Sequence, residues 1–321
     1  MKKKWFFLAF FVLVVTGVYW SLLSPPGGSA DTLFIVPQNQ VEFDVVQKMA
    51  EQKVVRSASL FRFFQNIFFL HITIEPGGYR INKGMGAWEV LNKINGRPDL
   101  AWVSFGGCLR KEQIGEIIGQ ALGWNAADLE KWNAVYTASK PEYFEGVYYP
   151  DTYLLPRDEP GNKIAERLIS RFNEQFAPYA QAYVSANIRW VTGLKIASLI
   201  AREAAGKPDM HLISGIIWNR LTIGMPLQID STMQYTLGKN SAGEWWGPID
   251  LKEKQKDSPY NSYLYKGLPP TPICSPNSAY IEAALHPMET DCLFYLHDYA
   301  KNIHCSKTYE EHLKNIQLYL N

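Results

Sequence analysis

The segment GLKIASLIAREAAGKPDMHLISGIIWNRLTIGMPLQIDSTMQY, residues 193–235, contains a side chain whose placement asks for a chemical explanation. Ile196, Leu199, Ile200 and Glu203 fall at i, i+3, i+4 and i+7, one face of a 3.6-residue period. Lys195, Ser198 and Arg202 fall on another face. An apolar stripe therefore ends in a carboxylate. A carboxyl group taken out of water favours its neutral form, and a glutamic acid kept protonated near neutrality can protonate a glycosidic oxygen. The competing reading is a helix-end glutamate that bends out to solvent or pairs with Arg202 or Arg220.

Other residues offer related chemistry. Asp230 sits directly before a helix, where an acid also favours the helix dipole. Glu145 and Asp151 flank GVYYP, and either suits a second carboxylate for sugar chemistry or a turn held by local hydrogen bonds. Tyr148, Tyr149, Tyr153, Tyr235, Tyr260 and Tyr263 lie in or beside loops, where ring faces offer apolar surface to sugar C–H groups. Trp245 and Trp246, in AGEWWGP, fit a sugar subsite or ordinary packing. The six histidines show no metal-ligand spacing and no Cys-x-x-Cys occurs, so neither a metal nor a cofactor is expected.

The elements that must position these groups follow from the chain. Helices are expected over about 163–176, 187–205 and 210–221, the second ended by Gly206 and Pro208. DSTMQYTLG starts a further helix, with Ser231 and Gln234 spaced as a capping box. SPYNSYLYKGLPPTPICSPNSA is a long proline-rich loop, of a length that is usually functional in a compact domain. DCLFYLHDYAKNIHCS reads as two strands joined by a tight turn, across which Cys292 and Cys305 could meet; the alternative is that these two, Cys108 and Cys274 are four buried thiols. Upstream, LFIVPQNQVEFDVVQKMAEQ, GGYRINKGMGAWEVLNKING and AWVSFGGCLRKEQIGEIIGQAL each read strand, loop, helix, which suggests a small α+β module.

The N-terminus carries a targeting signal. MKKK precedes an uncharged run, Trp5 to Leu23, of the length needed to span a bilayer, and the next basic residue is Lys48. By the positive-inside rule the tail is cytoplasmic and the rest lies outside. The competing reading is a signal peptide cleaved near GSA at 28–30. Setting aside Lys2, Lys3 and Lys4, the chain has 29 basic against 31 acidic residues, which gives no electrostatic reason to expect a nucleic-acid partner. At 47% hydrophobic and 14% aromatic it suits a packed globular protein rich in rings.

Taken together, EGVYYPDTY, IASLIAREA, NRLTIGMPLQIDSTMQY, SPYNSYLYKGLPPTPICSPNSAYIEAALHP and TYEEHLKN resemble the YceG-like family of membrane-anchored endolytic murein transglycosylases. The resemblance implies an α+β protein: anchor over residues 1–24, LysM-like module over 25–135, catalytic domain over 136–321. It implies cleavage of the β-1,4 bond between N-acetylmuramic acid and N-acetylglucosamine in nascent peptidoglycan strands, with 1,6-anhydro ends. Glu203 is then the catalytic acid, and Asn219, Gln228, Asp230, Thr232, Tyr235, Tyr260, Asn261, Glu145 and Asp151 form the substrate-binding set. The implied partners are peptidoglycan, the inner membrane and peptidoglycan synthases. Three features depart from the family. Its helix carries Glu-basic-Glu, whereas the first acid is Ala201 here. Ser231 replaces a proline, a change expected to matter little. SFGGCLRKEQI replaces the usual Pro-Glu-Gly. Ala201 favours an alternative, a non-catalytic peptidoglycan-binding or scaffold protein; a water-using muramidase is a second.

Overall fold

A computed structural model describes residues 2–18, 24, 31–39, 44–67, 74–82, 84–138, 140 and 143–320. The N-terminal apolar run begins as α1 (Lys2–Val18), 17 residues long. At 1.5 Å per residue this is ~25 Å, short of the ~30 Å hydrocarbon core of a bilayer. Among the described residues no helix is long and apolar enough to cross a membrane. Residues 19–23 of the expected span and the GSA stretch lie outside the described residues.

Contacts divide the chain into two units that interleave along the sequence: Met1–Val103 with Ala121–Gly123 and Thr152–Glu159, and Ser104–Gln120 with Trp124–Asp151 and Pro160–Asn321. In the first, β1 (Thr32–Val36), α2 (Val45–Glu51), α3 (Ala58–Ile67), β2 (Gly77–Ile81), α4 (Ala87–Ile94), β3 (Leu100–Ser104) and β4 (Thr152–Pro156) follow one another. The sheet runs in the order β1-β2-β3-β4, with β1 antiparallel to β2 from Thr32 opposite Ile81 to Val36 opposite Gly77. That register turns Phe34, Val36, Tyr79 and Ile81 inward, where Met49, Phe61, Val90 and Ile94 complete the core. The first two strand–helix repeats expected from sequence lie in this unit, whereas the third is split, its strand here and most of its helix, Lys111–Leu122, in the second unit; α3, which the repeats do not contain, adds Phe61 to the core.

The second unit holds α5 (Lys111–Leu122), α6 (Ala126–Lys131), α7 (Gly161–Ser185), α8 (Trp190–Glu203), α9 (Met210–Thr222), α10 (Asp230–Leu237), α11 (Ser278–Leu285), the hairpin β5 (Phe294–His297) and β6 (Ile303–Ser306), and α12 (Tyr309–Tyr319). Helix α7 runs nine residues past the expected end at Phe176 and contains Pro178. Ring contacts bridge the proline: Phe176 lies 5.4 Å from Tyr183, which is 1% exposed and donates to the Ile281 carbonyl at 2.7 Å. Helix α8 starts at Trp190 rather than near 187, because Asn187 adopts a left-handed backbone (φ 54°) that ends α7. Gly193 lets α8 press on α7: a Cβ there would lie 2.1 Å from the Tyr183 ring. All four cysteines are paired, Cys108 with Cys274 and Cys292 with Cys305, so the reading as free thiols does not hold. The second pair brackets the hairpin, as its spacing suggested.

Candidate active site

Glu203 is the last residue of α8, and Ile196, Leu199 and Ile200 on the same stripe are fully buried. Ala204 then turns to extended backbone, and buried Asp209 fixes the turn by accepting the Ala205 N–H at 3.1 Å. Glu203 thus stops at the wall of a cleft of about 540 Å³, which Gln228, Asp230, Lys254, Tyr263, Tyr295 and His312 also line.

Both carboxylate oxygens of Glu203 are held. Oε2 accepts from the Tyr295 hydroxyl at 2.8 Å and Oε1 from Ser231 Oγ at 2.9 Å. Burial pushes the Glu203 pKa up, and this outweighs the Tyr295 and Ser231 hydrogen bonds, which favour the charged form; the nearby Asp230 charge pushes it further up. The negative end of the α8 dipole also disfavours a carboxylate at this position.

Gln228 reaches the cleft from the segment before α10, and Asp230 from the first residue of that helix. Gln228 has a left-handed backbone (φ 53°), and Ser262 holds the turn, its carbonyl accepting the Gln228 N–H and its hydroxyl the Ile229 N–H, each at 2.9 Å. Asp230 accepts from the Tyr263 hydroxyl and faces the Lys254 ammonium at 2.9 Å. Burial, then the bond to Asp230, push the Tyr263 hydroxyl up to about 12. The expected capping box is absent. Ile229 occupies the cap, so Ser231 lies inside the first turn; its hydroxyl goes to Glu203 and the Gln234 amide to the Gly247 carbonyl. A serine in place of proline therefore supplies a donor to Glu203.

The other expected binding residues stand apart from the cleft lining. Asn219 donates to the Thr290 and Cys292 carbonyls at 2.7 and 3.2 Å, holding the chain ahead of β5. Thr232 and Asn261 are fully buried; Thr232 bonds the Ile229 carbonyl, and Asn261 ties the Lys254 and Lys256 carbonyls to the backbone of Tyr263. Glu145, Tyr235 and Tyr260 form a second cluster. Glu145 is 1% exposed and accepts from the Lys111 N–H and, at 3.2 Å, from the Tyr235 hydroxyl, while the Tyr235 and Tyr260 ring centres are 4.9 Å apart. Burial pushes the Glu145 carboxyl up to about 8. Asp151 pairs with Arg171 at 2.7 Å. Trp245 and Trp246 donate to Glu116 and Gln113 of α5, and the Arg202 guanidinium lies 4.1 Å from the Trp246 ring centre.

Sequence reasoning did not single out Tyr295, Lys254 or His312. Tyr295 sits in a short hairpin with no periodic signal; the bracketing cysteines were its one mark.

The chain matches the YceG-like family over residues 34–318 and belongs to it, as its motifs suggested. An endolytic murein transglycosylase of Bacillus subtilis is 34% identical over 192 residues, covering 59% of this chain and 51% of that protein. An endolytic murein transglycosylase of Streptococcus pneumoniae is 23% identical and covers 98% of this chain and 64% of its own length. The chain thus spans between half and two thirds of these curated relatives. The crystal structure of a yceG-like protein from Listeria monocytogenes superposes with a TM-score of 0.64 at 25% identity, over 88% of this chain and 98% of that one.

Proposed function

We propose that the protein is an endolytic lytic transglycosylase. It cleaves the β-1,4 bond between N-acetylmuramic acid and N-acetylglucosamine in nascent glycan strands and so limits strand length. The observation that carries this reading is the Glu203 carboxyl group, pushed toward its neutral form at the wall of an open cleft. The relatives' names support the same reaction class.

In the first step protonated Glu203 gives its proton to the glycosidic oxygen as the bond to the muramyl C1 breaks. The resulting carboxylate is stabilised by the Tyr295 and Ser231 hydroxyls already directed at it. In the second step it takes the proton of the muramyl 6-hydroxyl, whose oxygen closes on C1. A 1,6-anhydro ring forms, Glu203 is protonated again, and no water is consumed. Attack by the substrate's own hydroxyl replaces a bimolecular step. Ala201 is compatible with this scheme, because positions two apart on a helix lie ~200° from each other and do not face one cleft.

Asp230 favours one competing reading. Two-carboxylate glycosidases use a second acid to activate water or to attack C1, and Asp230 lines the same cleft. A muramidase of that kind leaves reducing ends, heavier by one water.

The anchor and the module belong to the same proposal. Residues 1–24 hold the chain in the inner membrane with the N-terminus cytoplasmic, residues 25–135 form a LysM-like module, and residues 136–321 act outside the cytoplasm near peptidoglycan synthases. Two disulfides support an oxidising compartment.

The test is mass spectrometry of purified glycan strands incubated with the full chain, wild type beside Glu203→Gln. Anhydro-ended fragments from wild type alone are expected, with the variant slowed by at least about a hundredfold. Reducing ends would establish the muramidase. Glycan bound but uncut by both proteins would establish the non-catalytic alternative that Ala201 favours.

A further inference from the structure

His312 reaches the Glu203 cleft from α12. Its ring stacks on Phe294 with centres 5.5 Å apart and lies 6.3 Å from Tyr309, and both of those rings line the same cleft. Among the described residues the buried Nδ1 has no hydrogen-bond partner. Burial and the Arg220 charge hold the imidazole below its ordinary pKa, so it is neutral at neutral pH. A neutral imidazole carries a single N–H. On Nδ1 that proton would be a buried donor with nothing to receive it, and orphaned buried N–H groups are rarer than under-satisfied acceptors. A proton on Nε2 avoids that orphan donor, and His312 is among the residues that line the cleft.

We propose that His312 is a substrate-binding residue, an Nε2–H donor to the carbonyl oxygen of an acetamido group whose methyl packs against Phe294 and Tyr309. The chemistry of the pocket selects that group. An acetamido side chain pairs an acceptor with an apolar methyl, and this wall pairs a donor with aromatic rings. A hydroxyl offers the acceptor without the methyl. The inference rests on the glycan reading of the cleft and deepens it, making N-acetylation of the sugar a determinant of binding.

Cleavage of N-acetylated strands and of the same strands chemically de-N-acetylated is measured with the full chain, as wild type, His312→Phe and His312→Gln. Wild type is expected to favour the N-acetylated strand by about tenfold, the worth of one good hydrogen bond, chiefly through KM. His312→Phe keeps a stacking ring without the donor and should lose that preference with kcat little changed, and His312→Gln, which retains an N–H, should recover part of it. If wild type cuts both strands equally well, or His312→Phe keeps the full preference, the inference is overturned while the glycan reading stands. If wild type neither binds nor cuts either strand, the glycan reading fails and the inference with it. Nitrogen-15 NMR of histidine-labelled full chain, with His312→Gln for assignment, gives a readout independent of how the Phe variant folds. A proton on Nε2 at pH 7 is expected, and one on Nδ1, or on both nitrogens, overturns the proposal.

Discussion

Two hydroxyls donate to one carboxylate at the end of α8, and their effect on it has a definite sign. Hydrogen bonds to the charged form favour that form, so the Tyr295 and Ser231 bonds oppose the upward push of burial on Glu203. Tyr295→Phe removes the larger of the two. The Glu203 pKa should then rise further, and since the reaction begins from the protonated acid, the alkaline limb of the kcat–pH profile should move to higher pH. An unmoved limb would take Glu203 out of the acid role. Glu145 gives a pH dependence of stability instead. Its carboxyl titrates at about 8 in the folded chain against 4.5 ordinarily, so folding binds a proton. That contribution is whole below pH 4.5 and is lost as pH rises through about 8. Glu145→Gln cannot titrate, so its unfolding midpoint should vary less than that of wild type across this window. Denaturant titrations at pH 5 and pH 8.5 make the comparison.

The elements differ in how much of them the sequence announces. Helix α8 was legible because its apolar residues keep the 3.6-residue period, and Glu203 stood out by breaking the stripe's chemistry. The C-terminal end of α7 was not, since Pro178 signals a stop that the helix runs through, with the Phe176 and Tyr183 rings in contact across it. The partners of Glu203 were illegible for a similar reason. Ser231 and Tyr295 lie 28 and 92 residues further along the chain and meet the carboxylate only through packing. Tyr295 depends on the hairpin, and the Cys292–Cys305 bond closes that hairpin with a separation of 13 residues. Closing so short a loop is worth about 3 kcal/mol in the chain-entropy account. Replacing both cysteines by serine should therefore lower stability by up to about that amount. It should also cut activity several-fold at temperatures where the chain is still folded, because β5 then holds Tyr295 less firmly. Undiminished activity at such temperatures would mean that Asn219 and Arg220, which bond the carbonyls of Cys292 and Leu293, hold the strand without the disulfide.

At the scale of the whole molecule, stabilising devices are distributed unequally. All four cysteines belong to the second unit, where Cys108 and Cys274 close a span of 166 residues. A loop that long is worth about 5 kcal/mol in the same account, so reduction should strike this unit hard. The first unit contains no cysteine and rests on its apolar core, in which Phe34, Met49 and Tyr79 are fully buried. A chain built in this way should unfold in two transitions, since small units with separate cores behave as separate cooperative systems. Reducing agent should lower one midpoint and leave the other in place. Phe34→Ala should do the reverse, costing about 3–5 kcal/mol in the unit whose core it hollows. Calorimetry of the oxidised, reduced and Phe34→Ala proteins checks both halves. Because segments 121–123 and 152–159 thread back into the first unit after the chain has entered the second, cooperativity across the two is the physical alternative. A single transition moved by both perturbations would mean that these returning segments couple the units into one.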